Sequence, residues 1–360
     1  MGTSLRERLL ALVRRFAGRR ILVVGDMVAD EYITGIPLKI SREAPVLVLR
    51  HNSQTITPGG ALNPGMNART LGAEVYLAGV VGDDALGTQL RAQLSEYGVH
   101  LDGLFSVHDR PTSAKTRVLA GDSQLIQQQI VRIDRIDDSE LGPDLTQRIT
   151  GYLREVIPDV DALIISDYEN GVISPTILDA TLTLAQEHGK IVVADSHGDL
   201  ARFQRVTALT PNQPEAETTL GWPITDAASL EIGGRRLLDM TGAQVALITR
   251  GGHGMSLFPR DDATLHLPAI NSGVVVDPTG AGDTVAATFA LALAIDGATN
   301  NARIPSERLV EAAVLANLAA GLVVRHVGCA TNTPQELADA IRAHITEEVP
   351  AIPDEVIAWE

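Results

Sequence analysis

Runs of consecutive apolar residues recur along the chain at 21–26 (ILVVGD), 75–82 (VYLAGVVG), 162–168 (ALIISDY), 190–196 (KIVVADS), 206–212 (VTALTPN) and 245–252 (VALITRGG). Apolar on successive rather than alternate positions, they suit strands buried on both faces of a parallel sheet. Helical spacing of apolar residues marks the intervening segments 62–71, 84–97, 175–188, 227–240, 283–295 and 307–325. This alternation predicts an α/β fold, a doubly wound and mostly parallel central sheet flanked by helices. Two stretches, 28–57 and 112–134, break the rhythm with β-forming residues in polar alternation (VLVLRHNSQTIT, TSAKTRVLA). They predict strands outside the main sheet, forming a small β-sheet lid that excludes water from a site beneath it. Leucines at helical spacing after Ser4 predict an N-terminal helix within 1–18, ahead of a main domain at 19–346. Residues 296–306 read as a surface connection and 347–360 as a short C-terminal tail.

Composition narrows the classes. Of 360 residues, 45% are hydrophobic, enough for a large core, and the formal net charge of −16 leaves no broad basic face for nucleic acid. No apolar run approaches the ~20 residues of a bilayer span, and the N-terminus lacks a secretory pattern, so no membrane association is expected. A single cysteine, Cys329, excludes an internal disulfide and suits a reducing, cytoplasmic setting. A dinucleotide-binding oxidoreductase shares the α/β rhythm, but VVGDMVADEY after the first strand is not G-x-G-x-x-G.

The strongest chemical signal is VDPTGAGDT at 276–284, directly before the apolar run VAATFALALAI. Gly280, Ala281 and Gly282 allow close backbone approach, and amides at the start of the following helix would hold an anion. Asp283, in the first turn, stands where a carboxylate can take a proton from a hydroxyl beside that anion. The pattern fits phosphoryl transfer.

DPTGAGDT resembles the C-terminal signature of the ribokinase and phosphofructokinase B family of carbohydrate kinases. VVGD (23–26), GGALN (59–63), PNQPE (211–215), TRGGHGM (249–255) and NLAAG (317–321) follow the same pattern. SREAPV (41–46), KTRVLA (115–120) and SDYENG (166–171) are similar to the D-glycero-D-manno-heptose 7-phosphate kinases of that family. The resemblance implies a kinase that uses ATP and Mg²⁺ to phosphorylate a sugar or sugar phosphate. Asp26, Gly59, Gly60 and Asn63 would hold the sugar, with Asp283 as base at the anion hole of Gly280, Ala281 and Gly282. Asn212 and Glu215 would organise Mg²⁺, largely through water. Thr249, Gly251, Gly254 and Asn317 would line the nucleotide site, and Asp277 would contribute to a monovalent-cation site for K⁺. Homodimers paired through the lid are expected as well.

Two departures bear on the acceptor. Asn170 and Ser196–His197 stand where the heptose phosphate kinases usually carry lysines. Lys39, Arg42, Lys115 and Arg117, all in the lid segments, remain to hold a substrate phosphate. A heptose 7-phosphate is the first expectation; fructose 1- or 6-phosphate, ribose or a related ketose or nucleoside, and a non-catalytic ligand-binding role, are the alternatives. The nucleotidyltransferase joined to such kinases in bifunctional relatives needs an H-x-G-H type motif, which the short tail is not expected to hold and which GGHG at 251–254 is not.

Overall fold

The computed structural model describes residues 4–121, 128–270, 275–295 and 302–346. The expected tail and most of the 296–306 connection lie outside them. The chain opens with helix α1 (Leu5–Arg14), strand β1 (Arg20–Gly25) and the long strands β2 (Met27–Ile40) and β3 (Leu47–Gly60), then α2 (Leu62–Thr70), β4 (Glu74–Gly82), α3 (Ala85–Glu96) and β5 (Leu104–Val107). Next come β6 (Ser113–Ala120), β7 (Gln128–Arg135), α4 (Pro143–Val156), β8 (Ala162–Asp167), α5 (Pro175–Glu187), β9 (Ile191–Ser196) and the two-residue β10 (Ala208–Leu209). The last part holds α6 (Gln213–Leu220), α7 (Ala227–Thr241), β11 (Val245–Thr249), β12 (Met255–Pro259), β13 (Leu265–Leu267), α8 (Ala281–Leu293), α9 (Ser306–Val323) and α10 (Pro334–His344).

Among the described residues the main sheet has the order β13-β12-β11-β10-β9-β8-β1-β4-β5, parallel except at the β11-β12-β13 edge. Its central strands are buried on both faces because their residues alternate between two separate cores. Ile21 and Val23 pack with Ile164, Val193 and Leu247 on one face; Leu22 and Val24 pack with Ile165, Val192 and Ile248 on the other. This explains why the strands read as unbroken apolar runs.

The run at 206–212 forms less strand than expected. Pro211 has no amide hydrogen to give, so regular pairing shrinks to β10, although Asn212 still bridges Thr249. Helix α1 packs on the main domain: Leu5, Leu9, Leu12 and Val13 enter the first core, and Arg8 Nε donates to Glu311 on α9 at 2.7 Å. No described helix is long and apolar enough to cross a membrane.

The two stretches that broke the rhythm form a second, four-stranded sheet, β3-β2-β6-β7. It rises from the carboxyl edge of the main sheet, since β2 begins two residues after β1 ends and Met27 pairs with Gly60 just before α2. That edge is where ligands bind in open α/β sheets.

Candidate active site

Helix α8 brings the site together. Its N-cap, Gly280, is left-handed (φ 80°), and a Cβ there would lie 2.5 Å from Asn63 Nδ2, so only glycine lets the turn pass. Ala281 donates its amide to Pro278 O at 3.2 Å, which closes the turn. Among the described residues the amides of Gly280, Gly282 and Asp283 have no acceptor, whereas that of Ala281, expected to be one of the anion-holding three, is engaged. Nothing lies within 4 Å of a Cβ built on Gly282, so the space beside these amides is open.

Asp283 is 5% exposed. Its Oδ2 accepts from Asn63 Nδ2 at 2.7 Å, and its Oδ1 accepts from the Tyr168 hydroxyl at 3.1 Å. Burial pushes its carboxyl up to about 6, against the opposing effect of these two donors and of His197. Asn63 is aimed by a buried chain: its Oδ1 accepts from Asn67 Nδ2 at 3.1 Å, and Asn67 Oδ1 accepts from the Thr284 hydroxyl at 2.9 Å. The amide expected to meet a sugar hydroxyl thus also holds the Asp283 carboxylate.

Asp26 also has a different setting from the one expected. Its carboxylate, 1% exposed, accepts the backbone amides of Tyr168 (2.8 Å), Asn170 (3.1 Å) and Val172 (3.1 Å) and ties down the loop after β8. Burial, partly offset by these amides, raises its pKa. A second buried carboxylate, at the base of the lid, is Asp30, which the sequence reading missed. It pairs with Arg117, accepts from the Cys329 thiol at 3.1 Å, and fills the space a side chain at Gly59 would need. Its only sequence signal was a buried acid in an otherwise alternating strand. Gly60, at φ 52°, turns the chain into α2 against Asp26 O.

Of the four lid cations only two reach the site. Lys115 Nζ lies 4.5 Å from the Tyr168 ring centre and Arg117 holds Asp30, whereas Lys39 and Arg42 are exposed at the far end of the β2–β3 hairpin. Nine residues of strand, roughly 30 Å, separate Lys39 from Asp30. Asn170 is buried, with its Nδ2 unpartnered among the described residues; Ser196 donates to Asp167 at 3.0 Å. His197 meets Tyr168 edge-on at 4.4 Å and pairs with Glu215 Oε1 at 2.6 Å.

Asn212 and Glu215 form a reciprocal capping box at the start of α6, through bonds of 2.9 and 2.8 Å, so the N-x-x-E spacing has a local structural use. A divalent cation fits their surroundings all the same. Asp195, half-buried, lies near Asp283 and Glu215; desolvation followed by those two charges drives its carboxyl up, and a cation among the three acids would relieve that repulsion. Among the described residues no three acids, histidines or cysteines form a ready ligand cage. Asp277 clamps the chain: its oxygens accept from Thr279 N (2.9 Å) and Gly328 N (2.8 Å). Burial raises its carboxyl, but these bonds outweigh that and hold it low.

Beside the α8 amides runs a mostly apolar groove lined by Thr249, Gly251, Met255, Ile270, Val285 and Asn317 among others. Gly251 (φ 54°) leaves open space, whereas Gly254 (φ 84°) packs on Leu267 O; Asn317 Nδ2 donates to Pro268 O at 2.7 Å and braces the wall.

The sequence profile of the pfkB family carbohydrate kinases matches residues 19–336. This chain belongs to the pfkB family. It is a phosphotransferase with an alcohol group as acceptor. Relatives of this pfkB kinase include the bifunctional protein HldE of Geobacter metallireducens, 42% identical over 88% of this chain and 61% of the relative. The bifunctional protein HldE of Citrifermentans bemidjiense is 40% identical over 92% and 65%. The chain thus spans less than two thirds of these relatives. Among solved structures, Arabidopsis thaliana ribokinase complexed with ribose and ATP superposes with a TM-score of 0.69 at 21% identity, covering 90% of this chain and 99% of the ribokinase. Phosphofructokinase-2 from Escherichia coli in complex with potassium gives 0.70 at 16% identity, covering 91% and 99%. The doubly wound α/β fold expected from the alternation is found, and it is ribokinase-like, as the motif resemblance implied.

Proposed function

We propose that this pfkB kinase transfers the γ-phosphoryl group of ATP to a hydroxyl of a sugar phosphate, a heptose 7-phosphate phosphorylated at position 1 being the first choice. The observation that carries the reading is Asp283, a buried carboxylate with its pKa near the working range, in the same helix turn as unpaired amides beside a mostly apolar groove. Asp283 would accept the acceptor hydroxyl's proton while the amides of Gly280, Gly282 and Asp283 hold the phosphoryl oxygens. Asp30, paired with Arg117, faces the sugar from the lid, and Lys115 offers a cation at the cleft. Mg²⁺ beside Glu215 and Asp195, when bound, supplies charge neutralisation at the phosphates. The groove lined by Thr249 and Gly251 would take the nucleotide.

The loss of lysines at Asn170 and at Ser196–His197 favours a second reading, a ketose phosphate such as fructose 1- or 6-phosphate, held by fewer cations. Incubation with ATP, Mg²⁺ and a panel of sugars and sugar phosphates, reading ADP release, separates these. Preference for a heptose 7-phosphate supports the first reading, equal use of free ribose or fructose overturns it, and no ADP with any acceptor overturns the kinase assignment of substrate class. A cytoplasmic homodimer is the proposed state. The lid leaves Ile40, Val46, Val131 and Ile133 exposed, an apolar face that a second copy would cover.

A further inference from the structure

Tyr168 has a place in this site that neither the motifs nor the family resemblance supplied. Its hydroxyl donates to Asp283 Oδ1 at 3.1 Å and reaches Oδ2 at 3.4 Å, while Asn63 holds Oδ2 from the opposite element. Burial, then the charge of Asp283, drives the phenol well above its ordinary range, so it stays protonated and acts only as a donor toward the carboxylate. The ring is held between Lys115 Nζ, 4.5 Å from its centre, and His197, at 4.4 Å.

The loop that delivers it is over-determined. Asp26 accepts the amides of residues 168, 170 and 172, and Asp167 Oδ1 accepts that of Glu169 at 3.0 Å. Arg110 binds the carbonyl of Asn170. Glu169 is thereby kept at φ 58°, a left-handed conformation that a non-glycine residue adopts only when its surroundings impose it. A mere surface turn would not need a buried carboxylate to fix three of its amides.

We infer that Tyr168 is a positioning residue for the phosphoryl-transfer base: its hydroxyl, delivered by the Asp26-anchored loop, fixes the orientation of Asp283 and holds it as a carboxylate. This rests on the reading of Asp283 as base. The other groups around Asp283 are Asn63 on α2, Asp30 on β2, Asp195 and His197 at the end of β9, and Cys329 after α9. Asp30 and Asp195 oppose ionisation, His197 favours it, and Tyr168 with Asn63 supplies the direct donors.

The test compares the intact chain with Tyr168→Phe and Glu169→Gly, by the pH profile of kcat/KM and by ¹³C NMR titration of the Asp283 carboxyl, assigned by its absence in Asp283→Asn. In Tyr168→Phe both midpoints should move upward by about one pH unit, because a donor to the ionised form is lost. Glu169→Gly, which keeps the hydroxyl and relieves the left-handed residue, should leave them in place. Should Tyr168→Phe lower the melting temperature, Tyr168→Met, equally without a hydroxyl, must give the same upward shift. An unchanged or lower NMR midpoint without the hydroxyl overturns the inference. The NMR arm needs no substrate, so a moved midpoint alongside absent turnover would sink the kinase reading and leave the positioning role standing.

Discussion

Asn63 Nδ2 and Asp283 Oδ2 meet at 2.7 Å although 220 residues separate them in sequence. The contact is aimed from both ends. Asn67 and Thr284 lock the amide, and Gly280 clears the space it occupies. Base and amide therefore form one rigid unit joining α2 to α8, and the first prediction concerns that unit.

Asp283→Asn removes the proton acceptor but keeps the shape. Turnover should fall by about 10²–10⁴-fold while nucleotide affinity, read by calorimetry, stays within about threefold. Retained turnover would refute the assignment.

The pH dependence follows from burial. The base works when ionised, so kcat/KM should climb as pH rises, with a midpoint near about 6. The same shift costs stability. The folded carboxyl keeps its proton up to about 6 against an ordinary 3.8, so the fold loses stability as pH rises through that interval. Asp283→Asn should melt higher than the unaltered chain at pH 8, with the gap closing by about pH 4.

Two neighbouring glycines separate fold from chemistry. Gly280→Ala meets Asn63 and a positive φ, so it should destabilise by about 1–3 kcal/mol and abolish turnover together. Gly282→Ala meets nothing in the protein. It should leave the melting temperature unchanged yet lower kcat at least tenfold by crowding the anion site, and unaltered kcat would show that no phosphoryl group passes there.

Arg117→Met strands Asp30 in the interior. Denaturant unfolding should show a loss of about 3–5 kcal/mol, largely recovered when Asp30→Asn is added. Additive losses would mean that the two residues do not interact.

For the lid, Ile133→Glu should convert a dimer to a monomer in analytical ultracentrifugation, since it puts charge on an exposed apolar strand. A monomeric unaltered protein would disprove the pairing.

Much of this was legible from residue order. Strands buried on both faces leave unbroken apolar runs, and the glycines at 280 and 282 with Asp283 mark the start of α8 and put a carboxylate in its first turn. The edge strands β5, β12 and β13 were harder to see, because strands of three to five residues at a sheet margin carry too little periodicity. Asp30 hid in a lid strand whose alternation looked ordinary, and its partner Arg117 lies 87 residues away. Asp26 carried the opposite lesson. A carboxylate after the first strand suggests ligand binding, but nothing in the local sequence shows that three amides from a loop 142 to 146 residues on will claim it. Tyr168 was visible within SDYENG, yet its hydroxyl matters only because α8 returns to that place.

Helix α8 is buried at every position from Asp283 to Leu293. A rod with no wet side cannot tilt without tearing both neighbours, so the base is the fixed jaw of a vice. Any closing around the acceptor must then come from the lid sheet, and the speed of each catalytic cycle would be governed by that hinge.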